Sequence, residues 1–343
     1  MAKSRSFGRK LLSLTGQSAV ILLTTFLLFE VSFRLYIIDF YGGDFEYLNS
    51  NFEQQEGRRD VLVIGDSFSA HKRGYVQLIS DSLSDFNVRN ASISGTSIRE
   101  QFLFGRRHIK KQDPDILVFQ FYTGNDLFSW SHPAEMKGIS SPREVYWKLS
   151  EYLWSLSFIN YSLAALKTND TSQGERAEFV SHAFAPEKYT MRDKIYFKAE
   201  PGLVENAAML TEGRAGDLKS YMKRMEKLFG FAGENSEIFI VIIPHCAQVN
   251  DLYLERMKLI GAQFSEDFKP GLASYPLQAE MEDFFSRDKR VRILDPLLNL
   301  KTMEENGRSV YFNNDSHLNT FGQRLIGKWL LKEINQDQVL VRD

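Results

Sequence analysis

The chain is short of cysteine, of surplus charge and of the residues that break structure. Its one cysteine, Cys246, has no partner for an intrachain disulfide, so in an oxidising compartment packing alone would hold the fold. Lys and Arg number 42 against 44 Asp and Glu, a net charge of -2, and no basic cluster stands beyond the first ten residues. That balance excludes a protein built around neutralising nucleic-acid phosphates. With 9 prolines and 22 glycines in 343 residues and 43% hydrophobic residues, extensive disorder is excluded as well. No internal repeat or low-complexity tract is present. His108, His132 and His182 show no metal-ligand spacing and no thiolate cluster accompanies them, so neither a metal nor a cofactor is expected.

What is present begins with the amino terminus. Lys3, Arg5, Arg9 and Lys10 precede an uncharged stretch, Leu11–Phe29, and after Glu30 the apolar run resumes from Val31 to Ile38. About 20 apolar residues span a bilayer's hydrocarbon. A transmembrane anchor over 11–38 is therefore expected, with residues 1–10 as a cytoplasmic tail. The competing reading, a cleaved signal peptide, would want a shorter apolar region and a small-residue cleavage site, which Phe26–Phe33 does not offer. Basic residues before the span and Asp39, Asp44 and Glu46 after it place the bulk of the chain outside the cytoplasm by the positive-inside rule. Residues 39–59, with Gly42, Gly43 and a Gln/Glu/Arg cluster, read as a linker, and a globular domain as 60–343.

Within that domain, five short apolar runs rich in β-branched residues read as buried strands: Val61–Ile64, Val88–Ile93, Ile116–Tyr122, Ile238–Ile243 and Val291–Leu294. Helical segments separate them at Tyr75–Leu83, Ile98–Lys111, Asp217–Phe231 and Leu277–Phe285, and an amphipathic stretch, Thr320–Ile334, closes the chain. Alternating strands and helices predict an α/β fold with a parallel sheet covered on both faces. The nearly ninety residues from Leu127 to Ala215 are too many for one crossover and read as an insertion, about 127–215. In it, Ser141, Pro142 and Glu144 predict an N-cap, a first-turn proline and a capping-box partner for a helix running toward Lys167. Tyr146, Trp147, Tyr152, Trp154, Phe158 and Tyr161 would ring that helix.

The polar residues that could carry chemistry fall at strand ends, where open α/β sheets place their ligands. The first strand leads into Gly65-Asp66-Ser67, the second into Asn90-Ala91-Ser92-Ile93-Ser94-Gly95, and the third into Gly124-Asn125-Asp126. Asp315-Ser316-His317 stands just before the closing helix. Ser67 is a nucleophile candidate, and His317, oriented by Asp315, can serve as its base. The backbone N–H groups of Ser67 and Gly95 and the side-chain amide of Asn125 suit an oxyanion hole. His71 and His245 are weaker pocket candidates, more in keeping with surface or packing roles. Cys246 reads as a small core residue. Asn90 and Asn314 each begin a glycosylation acceptor pattern, but modification at Asn314 would block the proposed pair, which favours a bacterial setting.

These blocks resemble those of the SGNH hydrolase superfamily, the GDSL-type esterases, in which Ser, Gly, Asn and His occur in this chain order. Ser67, Gly95, Asn125 and His317 match, with support from Gly65, Asp66, Gly124 and Asp126 and from the Leu-Asn after His317, over about residues 60 to 335. The resemblance implies a flavodoxin-like three-layer α/β/α fold with strand order 2-1-3-4-5 and ester chemistry through an acyl-serine intermediate. One departure stands out. Most members place the aspartate three residues before the histidine, and here Asn314 holds that position while Asp315 is two before. Asp-x-His occurs in related polysaccharide O-acetyltransferases, where it precedes the serine motif. Which residue orients His317, and whether the acceptor is water or a sugar, stay open at this point. No Gly-x-Ser-x-Gly elbow is present, which excludes the other large serine-esterase fold.

The expectation is an extracytoplasmic serine esterase held by its N-terminal helix in a bacterial inner membrane and facing the periplasm. Its substrate would be an O-acyl ester, most simply O-acetyl, of a cell-envelope or exported polysaccharide. Alternatives are an O-acetyltransferase with the same site, a lipase- or thioesterase-like enzyme whose aromatic insertion holds a longer acyl chain, and a non-catalytic scaffold subunit of a polysaccharide modification or export complex. Acylated carbohydrate or lipid ester and the membrane are the expected partners, and nucleic acid is not one.

Overall fold

The computed structural model describes residues 2–131, 139–159 and 183–340, with side chains described between 15 and 335. In chain order the elements are α1 (Ala2–Leu35), α2 (Gly42–Asn49), β1 (Arg59–Ile64), α3 (Tyr75–Ser82), β2 (Phe86–Asn90), α4 (Ile98–Gln112), β3 (Ile116–Tyr122), α5 (Asp126–Ser131) and α6 (Ser141–Ser150). They continue as α7 (Met191–Ala199), α8 (Leu203–Met209), α9 (Arg214–Phe229), β4 (Glu237–Ile243), α10 (Asp251–Leu259), α11 (Pro276–Phe285), β5 (Val291–Leu294), α12 (Leu297–Glu305) and α13 (Thr320–Leu340). The five strands form one parallel sheet in the order β2-β1-β3-β4-β5.

Alternate residues of each strand point to opposite faces, and both faces are covered. Val61, Val63, Val118 and Val241 enter one core with Val76 and Ile79 of α3 and Ile326 and Leu330 of α13. Leu62, Ile64, Phe119 and Ile240 enter the other with Leu103 of α4, Met222 and Met225 of α9, and Met281 of α11. Burial on both faces explains why the strands read as continuous apolar runs rather than alternating ones. The two-sided parallel sheet and its order agree with the fold expected from the sequence.

Three local expectations need correction. First, β2 ends at Asn90 rather than Ile93. Ala91 and Ile93 still donate to the carbonyls of Val63 and Gly65, but the regular pairing stops there. Second, residues 39–59 are no free linker. Tyr41, Phe45 and Leu48 are buried, and Phe45 packs edge-on against Phe104 of α4. Asn49 both donates to the Asn90 carbonyl and accepts from its N–H, at 2.8 Å each, while Gln54 donates to the Val88 carbonyl. The segment thus closes the exposed edge of β2, whose backbone groups would otherwise be open for pairing with another strand.

Third, the insertion's first helix stops at Ser150. Its N-cap is Ser140, whose carbonyl receives the N–H groups of Arg143 and Glu144, and Glu144 pairs with Lys148 instead of closing a capping box. A separate short helical stretch follows at 155–159, so Tyr146 and Trp147 lie on one element and Phe158 on another. Tyr161, Lys167, His132 and His182 lie outside the described residues.

The stretch Thr15–Leu35 of α1 covers 21 residues at mean hydropathy 1.7, long and apolar enough to cross a membrane. Its last turns belong to the domain. Phe33 is buried against Phe40 and Phe158, and the Glu30 carboxylate accepts from the backbone N–H groups of Trp154 at 3.0 Å and Ser155 at 2.8 Å. Arg34 bonds Glu30 and reaches the Tyr152 carbonyl, stacking its guanidinium on Trp154.

Candidate active site

Ser67 sits in a turn immediately beyond β1. The Asp66 carbonyl receives the N–H groups of Ser69 and Ala70, and the Asp66 carboxylate receives that of Phe68 at 3.0 Å. Asp66 therefore shapes the turn that presents Ser67. Gly65 is required because a Cβ there would lie 2.5 Å from Oε1 of Gln120. That same oxygen accepts from the Asp66 N–H at 3.0 Å and from the Ser69 hydroxyl. Asn90 Nδ2 donates to the Ser69 carbonyl and Gln323 Nε2 to the Phe68 carbonyl. Three buried amides, from β3, β2 and α13, thus fix the turn. Sequence reasoning missed all three in this role: Gln120 lies inside an apolar run, and Gln323 on a helix reads as surface.

His317 lies on a tight reversal between Val310 and Asn319, closed by hydrogen bonds from Phe312 N to the His317 carbonyl and from Asn319 N to the Val310 carbonyl. Asn319 Nδ2 also donates to the carbonyls of Ser309 and Tyr311, while its Oδ1 accepts from the Gly322 N–H. The His317 Nε2 is 2.7 Å from Ser67 Oγ, and its Nδ1 is 2.5 Å from Asp315 Oδ1. The same carboxylate oxygen accepts the His317 backbone N–H at 2.9 Å. Phe68 stacks on the imidazole with ring centroids 4.7 Å apart. Asn314 makes no hydrogen bond to His317. It is fully buried, with Oδ1 accepting from Ala185 N and Nδ2 donating to the Ala183 carbonyl, so it ties the insertion to the histidine loop. Buried Asn90 and Asn314 are both structural and offer no acceptor for glycosylation.

Gly95 has φ +79°, a left-handed conformation that glycine adopts without strain. Gly124 has no room for a side chain, since a Cβ would fall 2.4 Å from the Tyr122 ring. The N–H groups of Ser67 and Gly95 and the Asn125 side chain have no hydrogen-bond partner among the described residues. Asp126 points inward and accepts from Tyr122 N at 2.8 Å and from the Tyr221 hydroxyl. Burial, and then the neighbouring Asp66, push its carboxyl well above the usual range, and burial raises Asp66 too.

The insertion closes over this edge of the sheet. A pocket leaving about 10 Å³ of space is lined by Asn125, Arg192, Asp193, Tyr196, His245 and His317, among others. Arg192, Asp193 and Tyr196 come from α7, whose evenly mixed sequence gives no helical stripe, and none of them was foreseen. Arg192 Nε donates to the Tyr196 hydroxyl at 2.8 Å, and Asp193 accepts from the Thr190 hydroxyl. Burial, and then Asp315, raise the Asp193 carboxyl.

His245 lines the pocket as one of the two weaker candidates, whereas His71 is not among its lining residues. His245 Nδ1 accepts from Ala247 N–H at 3.1 Å, which leaves the ring proton on Nε2, and burial holds its pKa down at about 3. Cys246 is buried, and burial pushes its thiol up. A larger groove of about 490 Å³, bounded by Lys194, Lys198 and Leu259, contains none of Ser67, His317 or Asp315.

The fold and site together define an α/β protein with a Ser–His–Asp constellation at the carboxyl edge of a parallel sheet. No protein-family model matches the chain. No curated protein matches it. Solved structures similar to it include the acetyl xylan esterase AlAXEase, at 12% identity and TM-score 0.38 over 80% of this chain and 99% of that one. Others are a member of the lipolytic protein G-D-S-L family from Veillonella parvula DSM 2008 (12%, 0.38, 80% and 97%) and a catalytic mutant of Axe2, an acetylxylan esterase from Geobacillus stearothermophilus (12%, 0.39, 82% and 96%).

Proposed function

We propose that this chain is a serine esterase acting on O-acetyl groups of a cell-envelope or exported polysaccharide, held at the membrane by α1 with its domain outside the cytoplasm. The observation that carries the esterase reading is the relay itself: Ser67 Oγ to His317 Nε2 at 2.7 Å and His317 Nδ1 to Asp315 at 2.5 Å. Ser67 Oγ attacks the carbonyl carbon as its proton passes to His317 Nε2, and the carbonyl electron pair becomes an oxyanion. Ser67 N–H, Gly95 N–H and Asn125 Nδ2 are the free donors available to it. Collapse expels the alcohol, which takes the proton from His317; an acceptor hydroxyl then reverses the sequence at the acyl-serine.

The insertion leaves only a small pocket beside His317, which favours a short acyl group over a long chain. The polar wall of Arg192, Asp193 and His245 suits a hydroxyl-rich alcohol better than a lipid. The extracytoplasmic setting is supported by the apolar span in α1 and by the basic residues that precede it.

The test uses the full chain in detergent, a fluorophosphonate probe and p-nitrophenyl acetate, butyrate and octanoate. Wild type should be labelled and should prefer acetate, and Ser67→Ala should lose both labelling and turnover. A folded wild type that is neither labelled nor active would overturn the esterase reading, and a preference for octanoate would overturn the acetyl one.

A further inference from the structure

Arg192 stands in the pocket without a close ion pair, drawn only at longer range by the Asp193 and Asp66 carboxylates. Among the described residues its one hydrogen bond runs from Nε to the Tyr196 hydroxyl, its guanidinium lies 5.4 Å from the Tyr196 ring centroid, and no carboxylate stands within ion-pair reach. The Tyr196 side chain is the foremost influence keeping it charged. One terminal nitrogen, Nη1, lies 3.9 Å from where a Cβ on Gly95 would be, and Arg192 shares the pocket wall with Asn125 and His317. The free fork thus lies beside two of the three proposed oxyanion donors. Partly screened from water and lacking a close counter-ion, the guanidinium keeps attraction to spare. It is complementary to a negative charge that exists only during the reaction.

We propose that Arg192, carried in by the insertion, is a catalytic residue that completes the oxyanion hole with a positive charge. The inference rests on the serine-esterase reading. As Ser67 Oγ bonds to the carbonyl carbon, the oxygen that gains the electron pair is met by the guanidinium together with Gly95 N–H and Asn125 Nδ2. Breakdown of the intermediate returns that pair to the carbonyl and ejects the alcohol. The closeness of Nη1 to Gly95 favours this role over recognition of a separate anionic group on the substrate.

The test compares wild type with Arg192→Gln, Arg192→Lys and Arg192→Ala on p-nitrophenyl acetate, and on the matched pair para-acetoxybenzoate and para-acetoxybenzamide. Removing an oxyanion donor costs about 10²-fold or more in kcat. Arg192→Gln should lose that much with KM roughly unchanged, and by the same factor on the charged and the neutral ester. Arg192→Lys should keep part of the rate, and added guanidinium ion should restore part of it to Arg192→Ala. Thermal unfolding midpoints identify a loss due to misfolding, which neither lysine nor guanidinium would repair. Unchanged kcat in a folded Arg192→Gln overturns the proposal, as does a loss confined to the charged ester and expressed as a raised KM. In both cases an active wild type leaves the esterase reading standing. A wild type inert on every ester and unlabelled at Ser67 overturns both.

Discussion

Asn314 and Asp315 are neighbours with opposite duties, and exchanging them for conservative partners should separate the two. Asp315→Asn keeps the volume but gives His317 Nδ1 a poorer partner. Its kcat should fall by up to about 10⁴-fold with little change in thermal midpoint, since a mis-set tautomer defeats the base. Asn314→Ala leaves the Ala185 N–H without its acceptor and should instead cost roughly 1–3 kcal/mol of stability, read by denaturant unfolding. Asp126 supplies a pH signature. Its carboxyl is raised in the fold, so the folded state holds the proton more tightly, and stability is lost as pH rises from the unfolded value of about 3.9 through the raised one. Asp126→Asn cannot ionise. Its midpoint relative to wild type should climb as pH is raised above about 4 in thermal scans. The sequence made the strand-end residues legible because Ser, Gly, Asn and His there have few structural reasons to exist. Gln120, Gln323 and Arg192 left no such mark, because their work depends on what lies across the fold from them.

At the scale of elements, the strands and crossover helices were legible because β1 to β4 are largely buried on both faces and β5 is a short apolar edge run. The stretch 39–59 was not. Gly42, Gly43 and scattered polar residues suggest a tether, yet Asn49 and Gln54 spend their amides on the open side of β2, and no periodicity records such an edge seal. The same contacts set a limit on truncation. A chain starting at Asp60 would lack Phe33, Tyr41, Phe45 and Leu48, all buried. It should aggregate or melt well below one starting at Leu28, as measured by soluble yield and thermal midpoint. Glu30 is equally informative: an acid in an apolar helix reads as a flaw, but it caps two backbone N–H groups of the insertion. Glu30→Ala should cost roughly 1–3 kcal/mol, because one buried and one half-buried donor lose their acceptor.

Across the whole molecule, two long-range arrangements build the site. The sheet brings Ser67, Gly95 and Asn125 to one edge from the ends of three adjacent strands, and the chain's last loop adds His317. The β3–β4 crossover then carries α7 back over that edge. The strand-end residues and the α7 residues therefore reach one site from different parts of the chain, and only the first could be read from motifs.

The join between α1 and the domain has a geometric outcome. A catalytic head on a slack cord sweeps a volume set by the cord's length. Here the helix runs unbroken to Leu35 and is latched to the insertion by Glu30 and Arg34, so the head has no cord. Seated in a bilayer, the sheet edge that carries Ser67 would keep one height and one bearing above the lipid surface.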